Sequence, residues 1–355
     1  MEFDFLIIGG GIAGLSSAAT LSGLGRVAVW EAEAALGHHA SGRSAAVFEE
    51  DYGLPPVVAL NRASRADHAA AGHLKPRGLM LVALEGEDGF EADRDGLGLD
   101  EIDMEAARIR LPILSDRVMR AAFHDSAADL DTDAMLQRHA RTIRGAGGCV
   151  RTGLRVEVIA RVDGGWQVRA GTEMATARVL VNAAGAWADG VARMAGVAPL
   201  GLTPLRRSMA RMAAPGGHDV RSWPMVLGVG ERWYAKPDAG AWIVSPAEED
   251  PSEPMDAWPC DMVLAEGLDR YQGAVDAPVT RPIATWAGLR TFAPDRCLAL
   301  GPDGDRSNFV WVAGQGGYGF QTAPAAARLV ADLVAGRPSE LGAAVVSAVD
   351  PGRFA

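Results

Sequence analysis

Cysteine is scarce in this 355-residue chain: Cys149, Cys260 and Cys297, odd in number and far apart. That spacing yields neither a disulfide framework nor a thiolate metal site, and so few thiols fit a reducing cytosol. Positive charge is also in deficit. The formal net charge is −11 with no run of lysine or arginine, which excludes a nucleic-acid partner held through phosphates. Internal repeats and low-complexity tracts are missing. Charge of either sign is absent from Phe5 to Gly25, a stretch long enough to resemble a membrane span. The glycines at 9–11, the Ser/Thr content that follows, and Glu2 and Asp4 in place of a basic leader oppose a span or a signal peptide. The expectation is a buried parallel strand with its crossover helix, in a cytoplasmic protein without an integral membrane segment. Hydrophobic content of 48% and 22% charged residues complete an ordinary globular composition, sufficient for one large or two intimate domains.

What is present starts at Phe5. Phe5–Ile8 is an apolar run, and Gly9, Gly11 and Gly14 then satisfy G-x-G-x-x-G. A helical segment rich in Ala, Leu and Ser continues to about Leu24, and Val27–Trp30 is a second apolar run ending on Glu31. Each glycine has a mechanical reason: a tight turn, room for a pyrophosphate against bare backbone, and close helix–strand packing. The helix N-terminus aims free N–H groups at the phosphates. Glu31, about 20 residues beyond Gly11, is placed to accept from a ribose hydroxyl pair and disfavours a 2′-phosphate.

Further along, Val57–Ala71 reads as a helix, Gly78–Leu84 as a strand, and the acid- and glycine-rich Glu85–Asp103 as a surface connection. Asp131-Thr132-Asp133 supplies capping oxygens for a helix to about Gly145. Val150–Ala160, Trp166–Ala170 and Val179–Asn182 read as strands. Arg206–Ala213, Met225–Val229, Trp233–Lys236 and Trp242–Ser245 suggest an antiparallel sheet of different texture. Phe309–Ala313 is again a buried strand, and an Ala-rich helix over Ala323–Ala335 follows a glycine turn. That turn repeats the motif at Gly314, Gly316 and Gly319, yet Gly336-Arg337-Pro338 stands where an acid-tipped strand would be needed. We read it as a backbone loop approaching one bound cofactor.

The segments Gly9–Glu31, Gly37–Ala46 with Ser41-Gly42-Arg43-Ser44, Val181–Trp187, Trp223–Gly240, Thr285–Phe292 and Val312–Thr322 together resemble the D-amino-acid oxidase superfamily, most closely its bacterial D-arginine dehydrogenases. The resemblance covers nearly the whole chain. It implies an α/β fold: a Rossmann-like FAD-binding domain of the GR2 type (1–45, 130–200 and 285–355) with an inserted antiparallel-sheet substrate domain (46–129 and 201–284). It also implies noncovalent FAD, hydride transfer from Cα–H to flavin N5, and an imine that water hydrolyses to a 2-oxo acid and ammonia.

By that resemblance the cofactor contacts start from Gly9, Gly11, Ile12, Ala13, Gly14, Glu31 and Ala32, and continue through Ser41, Arg43, Ser44 and Ala45. Val156, Ala184, Gly185 and Trp187 follow. The C-terminal group is Gly288, Arg290, Gly316, Gly317, Tyr318, Gly319, Phe320 and Gln321. Arg207 and Arg290 would hold the substrate carboxylate with help from the hydroxyls of Tyr52 and Tyr234, and Gly317 and Gln321 would lie beside flavin and substrate. A planar guanidinium suits a carboxylate bidentately and stays charged when desolvated. Arg206 and Arg207 are adjacent on a strand, so one of them faces away. His38-His39 read as structural, Asp131 and Asp133 as caps, and no metal site is expected.

Two positions depart from the D-arginine dehydrogenase pattern. Val47 stands where that group has a histidine, and Leu79 where it has the acid that pairs with a guanidinium. Met225, Leu227 and Phe320 add further apolar lining. Glu49, where the group has threonine, either supplies a cation site from another wall or faces solvent; we read it as facing solvent at the entrance. The expected activity is oxidation of the Cα–N bond of a small D-amino acid, with uncharged side chains preferred and the electron acceptor open. The alternatives are an N-methyl amino acid, a 2-hydroxy acid, or a FAD-binding subunit without turnover. Paired buried arginines are costly unless they meet an anion, which weighs against that last reading.

Overall fold

The structure is a computed structural model that describes residues 1–354. Its first sheet has a parallel core in the order Cys149–Arg151, Val27–Trp30, Glu2–Ile8, Glu173–Asn182, Phe309–Ala313. Ala299–Pro302 pairs antiparallel on the outer edge. Glu173–Asn182 is long enough to do two jobs: it also pairs antiparallel with Gly165–Ala170, which in turn pairs with Val158–Val162. The central strands are buried on both faces, as helices covering both sides of a parallel sheet require. Ile7, Val181 and Val312 pack with Leu15, Ile143 and Leu329 of the helices Ile12–Leu21, Thr132–Gly145 and Gly319–Val334. Leu6, Leu180 and Trp311 face the other way, toward Trp166 and the short helix Ala188–Met194. Each such aliphatic side chain contributes roughly 1.5–3 kcal/mol through burial.

The second sheet has nine strands. Leu79–Leu84, Met225–Gly228, Tyr234–Asp238, Ala241–Ser245 and Thr203–Met212 form its body, and Ala284–Phe292 pairs with Thr203–Met212 along its whole length. Most neighbours are antiparallel, but Met225–Gly228 and Leu79–Leu84 run parallel, because their connection crosses through other elements. A small sheet of Val47–Phe48, Ala128–Leu130 and Leu74–Pro76 lies between. We propose the division of the chain given above, with one physical qualification: Ala284–Phe292 hydrogen-bonds into the second sheet, although its side chains also reach the cofactor cavity.

Three expectations need correction. Glu85–Asp103 is not a mere surface connection: it holds the helix Phe90–Gly96 and the strand Asp100–Ile102, and Phe90, Leu97 and Leu99 are buried. Acid-rich flanks hide those three apolar residues from a periodicity reading. Val150–Ala160 is two strands, Cys149–Arg151 and Val158–Val162, at opposite edges of the first sheet. Gly153 breaks the run at φ +71°, a backbone region that favours glycine. The last long helix starts at Gly319 rather than Ala323 and carries Pro324 inside it. The helices Met104–Arg110, Ala188–Met194 and Asp261–Ala274 were not foreseen.

A buried charge cluster joins the small sheet to the large one. Asp129 accepts from Arg77 Nε at 2.9 Å, and Lys236 Nζ lies 2.5 Å from its other oxygen. Lys236 also donates to the Ala45 carbonyl at 2.8 Å, and burial pulls its pKa down against the pull of Asp129. Removing one member leaves buried charge without compensation. Asp129→Ala should destabilise the fold by about 3–5 kcal/mol, read as a lower urea midpoint at unchanged slope, whereas Asp219→Ala on the surface should leave the midpoint near that of the wild type.

Candidate functional site

At the carboxyl ends of the parallel strands lies a cavity of about 440 Å³. Its existence depends on missing side chains. The strand Glu2–Ile8 ends on Gly9 at φ +113°, and a Cβ there would fall 2.3 Å from the Ala183 carbonyl oxygen. A Cβ on Gly14 would lie 2.0 Å from the Gly9 carbonyl oxygen. Gly11 opens the helix Ile12–Leu21, so its N-terminal N–H groups face the cavity, and Ser41 Oγ accepts from Ile12 N at 3.0 Å. Glu31 ends the second strand: one carboxylate oxygen accepts from Gly10 N at 2.6 Å and the other from Glu33 N at 2.8 Å. Each oxygen keeps a free lone pair for a ribose hydroxyl.

Most of the expected cofactor residues line this cavity. Gly9, Gly11, Ile12, Ala13, Glu31 and Ala32 form one stretch of wall, and Ser41, Arg43, Ser44 and Ala45 another. Val156, Ala184, Gly185 and Trp187 face them, with Gly288, Arg290, Gly316, Gly317, Gly319 and Phe320 beyond. Gly14, Tyr318 and Gln321 are not on the wall; Gln321 lines a smaller neighbouring cavity. Gly14 acts through packing, and Tyr318 is buried between the rings of Tyr52 and Phe292, at 5.5 and 6.2 Å. Arg43 lines the cavity, but its guanidinium is turned outward to the carbonyls of Ala257 and Ala287, at 2.9 and 2.8 Å, and to Asp256. His38 and His39 border the cavity as well; His39 lies 4.6 Å from the Trp187 ring and 3.2 Å from Glu33.

A second cavity, about 80 Å³, shares Ser44, Ala45, Arg290, Gly317 and Phe320 with the first. Val47, Glu49, Tyr52, Leu79, Met225 and Leu227 line it, together with Tyr234 and Gln321. Arg290 stands where the two cavities meet. In the antiparallel ladder Arg207 opposes Gly288 and Leu205 opposes Arg290, which puts Arg207 and Arg290 on one face and Arg206 on the other. Arg206 pairs with Asp250 at 2.9 Å on that far side.

The two arginines of the expected clamp differ. Burial works against the charge on Arg290, but the oxygens of Tyr52, Tyr234 and Glu231 outweigh it and raise the pKa above the usual arginine range. Among the described residues no carboxylate forms an ion pair with Arg290. Arg207 is buried on the wall of the larger cavity only, where Nε donates to the Glu248 carbonyl at 3.0 Å and Nη2 meets Glu249 at 3.2 Å. Its Nη1 is buried without an acceptor among the described residues. A Cβ on Gly317 would press on the Arg290 guanidinium at 3.0 Å and displace it by a few tenths of an ångström.

Tyr52 donates to Glu231 at 3.1 Å, and burial raises its pKa, so its hydroxyl stays protonated. Tyr234 OH lies 3.5 Å from Met209 Sδ. Gln321 Oε1 accepts from Glu49 N at 3.1 Å while its Nε2 is buried without a partner. Gly316 N donates to Thr291 O at 2.8 Å, so of the Gly316-Gly317 pair only the Gly317 N–H is left to face a ligand.

Glu49 overturns the expectation placed on it. It is 6% exposed, lines the small cavity, and sits 3.2 Å from His124 Nε2. The acidic run Glu49-Glu50-Asp51 looks like a solvated face, but only its outer two members turn to Arg62 and Arg65. Sequence reasoning also missed Glu231, Leu97 and His124. The first two are reached through turns; His124 is brought beside Leu79 by strand register, which leaves no local signal.

The profile of the FAD dependent oxidoreductase family (DAO) matches residues 4–333. Solved structures of similar shape include glycine oxidase from Geobacillus kaustophilus (22% identity, TM-score 0.82, 97% of this chain and 98% of that one). L-proline dehydrogenase from P. horikoshii is similar at 21% identity and TM-score 0.84, over 99% and 98% of the two chains. L-alpha-glycerophosphate oxidase from Mycoplasma pneumoniae, with FAD bound, is similar at 18% and TM-score 0.85, over 94% and 95%. The chain belongs to the FAD dependent oxidoreductase family, and its cofactor is FAD. The cradle fits that cofactor: bare backbone at Gly9 and Gly11, a helix N-terminus for phosphates, and Glu31 for a ribose. Among the described residues no helix is long and apolar enough to cross a membrane.

Glu31→Ala should weaken FAD binding roughly ten- to a hundredfold, because charge-assisted acceptors are worth about 1.5–3 kcal/mol. Equilibrium dialysis against FAD checks this, and circular dichroism of the apoprotein should be unchanged.

Proposed function

We propose that this oxidoreductase removes hydride from the Cα–H of a D-amino acid, giving an imine that water hydrolyses to a 2-oxo acid and ammonia. The observation that carries the reading is Arg290: a guanidinium at the junction of the two cavities, facing no carboxylate ion pair among the described residues. With no ion-pair partner of its own, that planar fork is open to an anion held bidentately, and a substrate carboxylate is the fitting one. Bound FAD supplies the two-electron acceptor. Arg290 fixes the carboxylate, and with it the face of Cα presented, which is the orientation share of catalysis. The buried Nη1 of Arg207 is a further donor for the same carboxylate, and the Tyr52 and Tyr234 hydroxyls flank it. Tyr52 is held protonated with its hydrogen directed to Glu231, so it does not abstract a proton; the substrate amine loses its proton to water before hydride leaves.

The small cavity supports an uncharged side chain. Leu79, Leu97, Leu227, Met225, Val47 and Phe320 give it apolar walls; of its two carboxylates, Glu49 is paired with His124 behind it and Glu231 accepts from Tyr52. A cationic side chain would lose several kcal/mol of hydration there without a free partner, while uncharged side chains should differ by only about 1–3 kcal/mol per methylene. Among the solved neighbours, the names glycine oxidase and L-proline dehydrogenase describe amine-bearing carboxylates, which supports the substrate class and leaves the hand at Cα to our reading. We further propose that FAD is held noncovalently, since none of the three cysteines lines either cavity and Thr291-Phe292 occupies the segment where covalent relatives carry one.

Anaerobic mixing with a panel of D- and L-amino acids, N-methyl amino acids and 2-hydroxy acids tests this directly. Neutral D-amino acids such as D-methionine and D-leucine should bleach the flavin fastest; faster bleaching by sarcosine-type amines or hydroxy acids would replace the reading. Arg290→Met should lower kcat/KM by about 2–5 kcal/mol, Arg207→Met by less, and Arg206→Met hardly at all. Acid precipitation should release the flavin intact.

A further inference from the structure

The reaction assigned above does not use His124, yet it is one of the best-built features near the site. His124 stands on the strand Val118–His124, directly opposite Leu79 in the ladder, so the two side chains share one face of the sheet. Leu79 is on the wall of the small cavity; His124 lies behind it, its side chain 12% exposed, with Nε2 3.2 Å from Glu49. Its other ring nitrogen meets Ser126 Oγ at 3.0 Å, which orients the imidazole. Glu49 is held equally firmly. Its N–H donates to Gln321, one carboxylate oxygen accepts from Asp51 N at 3.2 Å, and the other is buried facing His124 without a well-aligned hydrogen bond. That second oxygen is the part of the wall with capacity to spare.

We propose that Glu49 and His124 together form the element that reads the end of the substrate side chain. With both charged the pair is neutral and favours an uncharged side chain; with His124 neutral, the uncompensated Glu49 takes one that ends in an ammonium or guanidinium. This deepens the function proposed above and rests on Arg290 as the carboxylate anchor. Burial lowers the pKa of His124, but the Glu49 carboxylate beside it, with a smaller effect of Asp51, outweighs burial and leaves it above the ordinary imidazole value. The pair is therefore intact at about pH 6.5 and is lost as pH rises through the elevated pKa, leaving the Glu49 charge uncompensated on the wall.

Asp51 and Glu50 pair with Arg62 and Arg65, and Asp129 with Arg77 and Lys236. Glu231, the other carboxylate on the wall of the small cavity, accepts from the neutral Tyr52 hydroxyl and lies in the field of Arg290. From the helix Pro55–Ala70, His68 bonds the Gln321 carbonyl and burial lowers its pKa, so it remains neutral. Arg290 stays charged throughout. His124 is the group that changes.

The test uses FAD-loaded enzyme and two unreactive carboxylates, hexanoate and 6-aminohexanoate, with binding read from the flavin absorbance between about pH 6 and 9. In the wild type the affinity ratio of the amino to the plain acid should rise about tenfold or more across that range. In Glu49→Gln the ratio should be low and flat; in His124→Gln it should be high and flat, since Glu49 is uncompensated at every pH. A flat ratio in the wild type, or a rise that survives in Glu49→Gln, overturns the assignment of this pair alone, provided hexanoate binds and Arg290→Met abolishes that binding. If neither acid perturbs the flavin at any pH, the Arg290 anchor has failed and this inference falls with it.

Discussion

The whole arrangement depends on one steric constraint, the crossing of bare backbone where the first strand ends. Gly9 meets the Ala183 carbonyl, and Gly14 meets the Gly9 carbonyl, at distances that leave no room for a Cβ. Those contacts draw three elements to one point: the strand Glu2–Ile8, the helix Ile12–Leu21, and the end of the parallel neighbour Glu173–Asn182. Once they meet there, the helix N-terminus, the Glu31 carboxylate and the Ala183–Trp187 turn all border the same space. Hydrophobic burial on both faces of the parallel sheet stabilises the layers, but it is the missing side chains that make a cradle at its edge. An alanine at Gly9 would need strained backbone as well as an impossible contact.

The small cavity is built largely on the second sheet, and the two cavities are coupled by short segments. Ser44 and Ala45 border both cavities, and Lys236 holds the Ala45 carbonyl from within the buried cluster of Asp129 and Arg77. Ala284–Phe292 performs the same joining from the other direction: its ladder lies in the second sheet while Arg290 stands between the cavities. The two cavities are therefore joined by one continuous hydrogen-bonded frame. Local errors in that frame should appear in orientation before they appear in binding.

What could be read in the sequence was local. Gly9 to Glu31 carries its own geometry in its spacing, and Phe309–Ala313 with the glycine turn after it is similarly self-contained. Arg290 was legible because a charge between Leu289 and Thr291, in an apolar run, needs a reason to be there. Glu49 was not, since its partner His124 lies on another strand and only register brings them together. Leu97 was masked by acidic neighbours in a segment whose burial depends on Phe90 and Leu99 docking onto the second sheet. The division of Val150–Ala160 between two sheet edges was hidden for the same reason: alternation reports which way side chains point, not which strand lies alongside.

The most direct measurement is a crystal structure of the FAD-loaded protein with benzoate bound. The account predicts the benzoate carboxylate on the Arg290 guanidinium at about 2.7–2.9 Å, with its ring in the small cavity against Leu79 and Leu227 and Glu49 still paired with His124. Benzoate bound elsewhere, or Arg290 turned away to pair with Glu231, would contradict it.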